Sequence, residues 1–244
     1  MLRAVTFDYW NTLFVDVRGA QRERLREEIL RAELAALGLS PSRAALVDAL
    51  KSGFDFFDRV WFDEHRTPLC SETVDAILAQ LRAPLSAEAR DRVIAAFETV
   101  LLEAPPDPMP GAAYTLPELA ERYELAVVCD TGYSPGTVLR ELLARHDMLR
   151  HFKYLYFSNE QGASKPSRQA FVRPLEHLGV RPAEAAHVGD IQRTDIAGAQ
   201  AAGMSAVLFV GANNRDAATT TADLVVRHFD ELPAALGSLT CAGC

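Results

Sequence analysis

The sequence predicts an α/β protein: a doubly wound parallel sheet with an all-α segment inserted after its first strand. Three observations carry that class. Short apolar, β-branched runs recur at residues 4–7, 125–128, 185–188 and 206–210, the form of strands buried on both faces. Amphipathic helical patterns fill the intervals between the later runs, and strand alternating with helix builds a parallel sheet. Residues 16–108 break the alternation with helical patterns alone.

Ala4-Val5-Thr6-Phe7 predicts a strand that meets its loop at Asp8 and Asn11. Leu25, Ile29, Leu30, Leu34 and Leu37 then trace one helical face with Gly38 as its stop, and further helices are expected over 42–51, 71–82 and 86–103. The proline-rich run from Ala104 to Pro110 closes the insertion as a stiff link. Beyond it the pattern predicts a helix over 115–122 and the strand Leu125–Val128, which leads into Cys129-Asp130-Thr131-Gly132. Helices follow over 135–145, with Pro135 placed for the first turn, and over 167–178, closed by Gly179. The strand 185–188 runs into Gly189-Asp190, a helix over 193–202 ends at Gly203, and the strand 206–210 ends at Gly211. Thr219-Thr220-Thr221 reads as loop. The expected division is 1–15 with 109–244 for the sheet domain and 16–108 for the helical unit.

A chain of 244 residues with 49% apolar content buries a real core. Its 25 basic against 33 acidic residues give a net charge of −8. That balance leaves no basic footprint for nucleic acid or an anionic membrane. No run approaches the ~20 apolar residues of a membrane span, and Asp8 interrupts the N-terminus before a signal-peptide core forms. The expectation is a soluble, cytoplasmic protein, monomer or homodimer. Four scattered cysteines suit a reducing compartment rather than a disulfide framework. Cys241-Ala-Gly-Cys244 has the spacing of half a zinc site, but without a second pair or a nearby His it reads as tail.

In a doubly wound sheet ligands sit beyond the carboxyl ends of the strands, where Asp8, Asp190 and Asp195 fall. A lone strand-end Asp is ordinarily a turn former or helix cap. Three together repel one another unless a cation sits among them. Hard oxygen ligands without His or thiolate suit Mg²⁺, which completes its shell with substrate phosphate. Lys165, in Ser164-Lys165-Pro166, is one of three lysines in a chain with 22 arginines. The following proline holds its backbone out of the α region, so its ammonium is an aimed point charge, where the alternative is a solvated loop lysine.

These residues resemble a family. Asp8-x-x-x-Thr12-Leu13 after the first strand, a small polar loop after the second, Lys165-Pro166 before a helix and Gly189-Asp190-x-x-x-x-Asp195 are similar in order and spacing to the four motifs of the haloacid dehalogenase-like (HAD) hydrolases. The resemblance spans residues 4–232, and the insertion falls where that family carries a helical cap of the C1 type. It implies a Rossmann-like core with Asp8 as nucleophile. It also implies Mg²⁺ held by Asp8, the Trp10 carbonyl and Asp190 with Asp195 in support, and transfer of phosphate from a small phosphorylated metabolite through an aspartyl-phosphate. Lys165 would share the catalytic work, and Asn11, Thr131, Gly132 and Lys165 would hold the phosphate. The chemistry is consistent, because carboxylate attack on a phosphate ester needs its charge repulsion cancelled by the cation and Lys165.

Two positions depart from the family pattern. Its phosphatases carry a second Asp two residues after the nucleophile as general acid and base, and here that residue is Trp10. General acid–base help is worth roughly 10²–10⁴-fold, so turnover should be slow unless another group, Asp130 or His65, serves. Cys129 stands where the second motif usually has Ser or Thr, and a thiol is a weak donor; strand alternation offers Thr131 instead. Two rivals follow from these departures. Haloacid dehalogenases also lack the second Asp and need no metal, although Asp190 and Asp195 would then form an unrelieved anion pair. A weakened binder of phosphorylated ligands is the other. A receiver domain, a phosphorylatable switch, fits poorly with the length and the insertion. Phe54, Phe56, Phe57, Trp61 and Phe62 crowd the insertion, as helical core or as an aromatic wall facing Trp10.

Overall fold

A computed structural model describes residues 1–239, so Cys241 and Cys244 lie outside it. Six parallel strands form one sheet in the order β5-β4-β1-β6-β7-β8. They are β1 (Ala4–Phe7), β4 (Glu124–Cys129), β5 (Phe152–Phe157), β6 (Ala185–Gly189), β7 (Ser205–Phe209) and β8 (Leu224–Val226). β1 lies between β4 and β6, with Phe7 opposite Val127 on one side and Val188 on the other. The chain leaves β1 in both directions across the sheet, so the crevice above its carboxyl end is the topological switch point.

One face of the sheet packs on α5 (Ala112–Arg122), α6 (Gly136–Arg145) and α10 (Leu232–Ser238), where Phe7, Leu116, Leu139 and Leu236 are fully buried. The other packs on α8 (Arg168–Leu178) and α9 (Ala197–Ala202) through Phe171, Leu175 and Ala199. α7 (Ser158–Gln161) is a single turn after β5. Gly179 and Gly203 end α8 and α9 in the left-handed region, the backbone state in which a Cβ is penalised.

Between β1 and α5 stand four helices, α1 (Gly19–Ala36), α2 (Arg43–Glu64), α3 (Cys70–Leu81) and α4 (Ala87–Glu103), with their own core of Leu30, Leu46, Val74, Ile77 and Phe97. The two chain segments joining them to the sheet pair with each other. β2 (Phe14–Val15) runs antiparallel to β3 (Asp107–Pro108), so the proline-rich link is half of a two-stranded ribbon. Arg18 clamps it through the Pro105 carbonyl and Asp107 at 2.5 and 2.6 Å.

The structure corrects several expectations. The helix expected over 42–51 runs on to Glu64, because Gly53 lies inside it without breaking it. A Cβ there would come within 2.6 Å of Ile77, so this glycine permits close approach of α2 to α3. The expected helix 193–202 begins as a π-helical turn, Gln192–Ile196, before α9. β5 and β8, the two edge strands, were not expected. Lys153 is exposed and Tyr154 half-buried on β5, so it lacks the continuous apolar run of a central strand.

Candidate active site

β1, β4 and β6 end side by side and deliver Asp8, Asp130 and Asp190 to the switch point. The Asp8 amide donates to the Val188 carbonyl at 2.9 Å, which extends the sheet pairing through the first carboxylate. The chain then folds back sharply. Asn11 adopts a left-handed φ of 56°, and the Leu13 and Phe14 amides both donate to the Tyr9 carbonyl at 3.0 and 2.9 Å. Tyr9 is buried and stacks on Phe14, which leaves the half-buried Trp10 ring at the cavity.

Lys165 ties the carboxylates together. Its Nζ donates to Asp8 Oδ1 at 2.5 Å and to Asp195 Oδ1 at 2.6 Å, while its amide donates to Asp130 Oδ1 at 2.9 Å. Asp195 is fully committed. Its Oδ1 also meets His187 Nε2 at 3.2 Å, and its Oδ2 accepts from the Ile191 amide at 2.9 Å. The π-helical turn supplies that geometry. Asp190 accepts from Asn213 Nδ2 at 2.8 Å through Oδ2 only.

Burial pushes the Asp8 carboxyl well above the usual carboxylate range; Lys165 pulls it down, and Asp195 and Asp190 push it up again. Burial, reinforced by Asp195, pushes Asp190 up to about 6. Asp195 moves the other way, because Lys165 and His187 outweigh an unfavourable burial. Ionised together, Asp8, Asp190 and Asp195 would outnumber the Lys165 ammonium by two charges, which is the repulsion that raises Asp8 and Asp190. Atoms of Asp8, Asp190 and Asp195 lie within 4.8 Å of one another. Among the described residues no hydrogen bond ends on Asp8 Oδ2, Asp190 Oδ1 or the Trp10 carbonyl. Three free oxygens in a carboxylate-rich site, without His or thiolate ligands, fit a hard divalent cation such as Mg²⁺.

A cavity of ≈ 270 Å³ opens above these groups. Asp8, Trp10, Asn11, Thr131, Gly132, Lys165 and Asp190 all border it, and Asp195 lies in the same cluster, buried beneath Lys165, so the structure brings together every site residue expected from sequence. Phe57, Asp58 and Trp61 of α2 form the opposite wall. Trp61 Nε1 donates to Asp130 Oδ2 at 2.9 Å, and the Arg193 guanidinium stacks on Trp61 and Phe62 at 4.6 and 4.0 Å. Phe54, Phe57 and Trp61 are therefore outside the helical core, and Phe57 and Trp61 form an aromatic wall opposite Trp10.

His65 ends α2, is exposed and does not border the cavity, so it is no proton donor here. Asp130 borders it with both oxygens accepting hydrogen bonds. Asp58 accepts none among the described residues, and burial together with Asp55 raises its pKa. Cys129 is buried in the core beneath the sheet end, whereas Thr131 reaches the cavity, its amide donating to Ser158 Oγ at 2.9 Å. Ser158, His187 and Asn213 escaped the sequence reading. Ser158 follows the unexpected β5, and Asn213 follows β7 as a strand-end polar residue, the signal that marked Asp8 and Asp190.

Known proteins agree with this geometry. The family model of haloacid dehalogenase-like hydrolases matches residues 2–203. The chain is 35% identical over 135 residues to a ribulose-1,5-bisphosphate 5-phosphatase of Halopiger xanaduensis, covering 54% of this chain and 55% of that protein. It is 39% identical over 88 residues to a phosphoserine phosphatase of Thermus thermophilus, covering 36% of this chain and 35% of that one. The chain thus spans about half, or less, of the length of these curated relatives. Among solved structures, a 2-haloacid dehalogenase from Pseudomonas syringae pv. Tomato superposes with a TM-score of 0.70 at 27% identity, covering 97% of this chain and 99% of that one. A HAD phosphatase from Thermococcus onnurineus shares the fold with a TM-score of 0.65 at 24% identity, over 97% and 98% of the two chains. With a parallel sheet, an acidic switch point and a family match over most of its length, the chain belongs to the haloacid dehalogenase-like hydrolases.

Proposed function

We propose that the protein is a Mg²⁺-dependent phosphatase of small phosphorylated metabolites, with residues 16–108 as a helical cap over the site. The observation that carries this reading is the pairing of Asp190 with Asp195 beside Asp8 and Lys165, which leaves three unclaimed oxygens and an excess of negative charge. Asp8, Asp190 and the Trp10 carbonyl would hold the cation directly, with Asp195 in support. When bound, Mg²⁺ neutralises charge on the transferring phosphate.

The chain's own groups account for the rest. Asp8 has Oδ1 held by Lys165 and Oδ2 free, so Oδ1 is oriented to attack phosphorus, forming an aspartyl-phosphate as the alcohol oxygen leaves, while Oδ2 would face the cation. An ammonium has three N–H donors, and Lys165 spends two on Asp8 and Asp195, which leaves one for a phosphate oxygen. Asn11, Thr131 and Gly132 border the space that the phosphate would fill. The leaving oxygen needs a proton that Trp10 cannot give, and Asp58 is the cavity acid free to supply one. Phe57 and Trp61 exclude water from the opposite side.

One observation favours a second reading, hydrolysis of a carbon–halogen bond: the 2-haloacid dehalogenase fold neighbour, together with Trp10 in place of the acid. A single panel decides. Phosphate esters should be cleaved with Mg²⁺, and EDTA or Asp8→Asn should abolish turnover. Release of halide from 2-halo acids in EDTA, without phosphate release, overturns the phosphatase reading.

A further inference from the structure

The link between α2 and α3 leaves the helical insertion and docks on the sheet domain beside Thr131 and Lys165. The Ser164 amide, one residue before Lys165, donates to the His65 carbonyl at 2.9 Å. Two residues further along the link, the Thr67 hydroxyl meets Ser158 Oγ at 2.5 Å. Ser158 begins α7, and β5 pairs with β4 in a register that sets Phe157 against Cys129, which brings Ser158 alongside Thr131. There its Oγ accepts from the Thr131 amide at 2.9 Å and lies 3.3 Å from Thr131 Oγ1. Thr67, Ser158 and Thr131 are all buried, and of the three only Thr131 borders the cavity above Asp8 and Lys165.

Counting protons fixes the direction of this chain. Three hydroxyls carry three protons, and two O···O contacts join them, so one proton is left over. Ser158 Oγ has two lone pairs, one taken by the Thr131 amide, so it accepts from one hydroxyl and donates to the other. If Ser158 donated to Thr67, the spare proton would belong to Thr67, which is buried and has no other acceptor among the described residues. Buried donors are ordinarily paired. In the opposite sense Thr67 donates to Ser158, Ser158 donates to Thr131, and the spare proton sits on Thr131 at the cavity wall.

We propose that Thr67 is a positioning residue for phosphate binding: by filling the second lone pair of Ser158, it keeps the Thr131 hydroxyl proton free for a phosphate oxygen. The choice of ligand rests on the phosphatase reading. Thr67 touches no substrate and acts through Ser158. Without its hydroxyl, Ser158 has a lone pair to spare, and the Thr131 proton turns to it, which leaves oxygen lone pairs facing the anion. Hydroxyls linked in one sense also polarise one another, so the last donor is the strongest. The same chain accounts for Cys129, a weak donor at the strand end: the hydroxyl is supplied two residues later and is held by a residue of the insertion.

The test is a double-mutant cycle read by calorimetry of orthophosphate binding with Mg²⁺, beside steady-state hydrolysis of p-nitrophenyl phosphate. Thr67→Val keeps the shape and removes the hydroxyl. It should weaken orthophosphate binding and raise KM about threefold to tenfold, the worth of one hydrogen bond, with kcat little changed. Thr67→Ser, which keeps an Oγ, should stay close to wild type. In a Thr131→Val background Thr67→Val should add nothing, because the proton it directs is gone. Wild-type orthophosphate affinity in Thr67→Val, an equal loss in both backgrounds, or an equal loss in Thr67→Ser overturns the proposal. Thr67→Ala takes the same place in the cycle if Thr67→Val does not fold. If no ester is cleaved, the phosphatase reading fails separately, and the orthophosphate cycle still decides the role of Thr67: a loss confined to the Thr131 background upholds it, and an additive loss or no binding to wild type refutes it.

Discussion

Replacing Gly189 by alanine tests the site through its scaffold. Gly189 ends β6, and a Cβ there would sit 2.4 Å from Asp195 Cγ and 2.5 Å from Asp195 Cβ. Ordinary contact needs roughly 1 Å more. Asp195 cannot yield freely, since Oδ1 holds Lys165 at 2.6 Å and Oδ2 holds the Ile191 amide at 2.9 Å. A shift of about 1 Å takes the Lys165 bond out of hydrogen-bonding range. Overpacking of this kind costs about 1–3 kcal/mol, and loss of a charged hydrogen bond about 1.5–3 kcal/mol. The two overlap, so we expect a net loss of about 2–4 kcal/mol and, for a chain of this size, a Tm lower by roughly 4–15 °C. Misplacement of Lys165 by that distance should cut kcat/KM about 10²-fold. Thermal unfolding followed by circular dichroism, with steady-state hydrolysis of p-nitrophenyl phosphate, reads both quantities. A Gly189→Ala protein with wild-type Tm and wild-type kcat/KM would refute the argument that Asp195 is locked.

Two further predictions concern groups that face the cavity. Trp10→Asp puts a carboxyl where the ring now borders the space, and should raise phosphate-ester kcat by about tenfold or more, within the range general acid help allows; a folded, Mg²⁺-binding variant with no gain counts against the account of Trp10. Asp130 is raised above its usual 3.8, first by burial, with Lys165 and Trp61 opposing. The folded state therefore holds this proton to higher pH than the unfolded chain does, and the contribution of Asp130 to stability falls as pH rises from 3.8 toward the folded value. The stability of wild type relative to Asp130→Asn, from urea unfolding, should rise as pH drops from about 7 to 4; a difference that shrinks with acid contradicts the sign.

The sequence exposes what buried parallel strands make continuous. β1, β4 and β6 read as apolar runs because both faces are covered, and their ends place Asp8, Asp130 and Asp190 without any knowledge of the fold. β5 hides because an edge strand carries Lys153 and Tyr154 outward. The expected helix over 42–51 stops short of Gly53, and what Gly53 serves inside α2, the close approach of Ile77, lies 24 residues away in α3. Side-chain partnerships hide for the same cause. His187 meets Thr6 Oγ1 at 2.8 Å only because β6 pairs with β1 in a register that puts the two residues opposite each other, and that register then aims its Nε2 at Asp195. The local winding of residues 192–196, which turns Asp195 inward, leaves no trace in hydrophobic periodicity.

In an acidic chain of net charge −8 the buried cations are placed rather than plentiful. Lys165 is 3% exposed and Arg26 7%, and both are held by structure rather than by solvent. They differ in what they face. Burial opposes a charge on Lys165, but Asp195 and Asp8 more than repay it, so its ammonium persists without ligand. Around Arg26 burial comes first and Arg22 adds to it, and together they lower its pKa against the opposing pull of Tyr133 and Glu23. One cation is thus compensated by two carboxylates and serves to orient Asp8, while the other is held below its usual range by its burial.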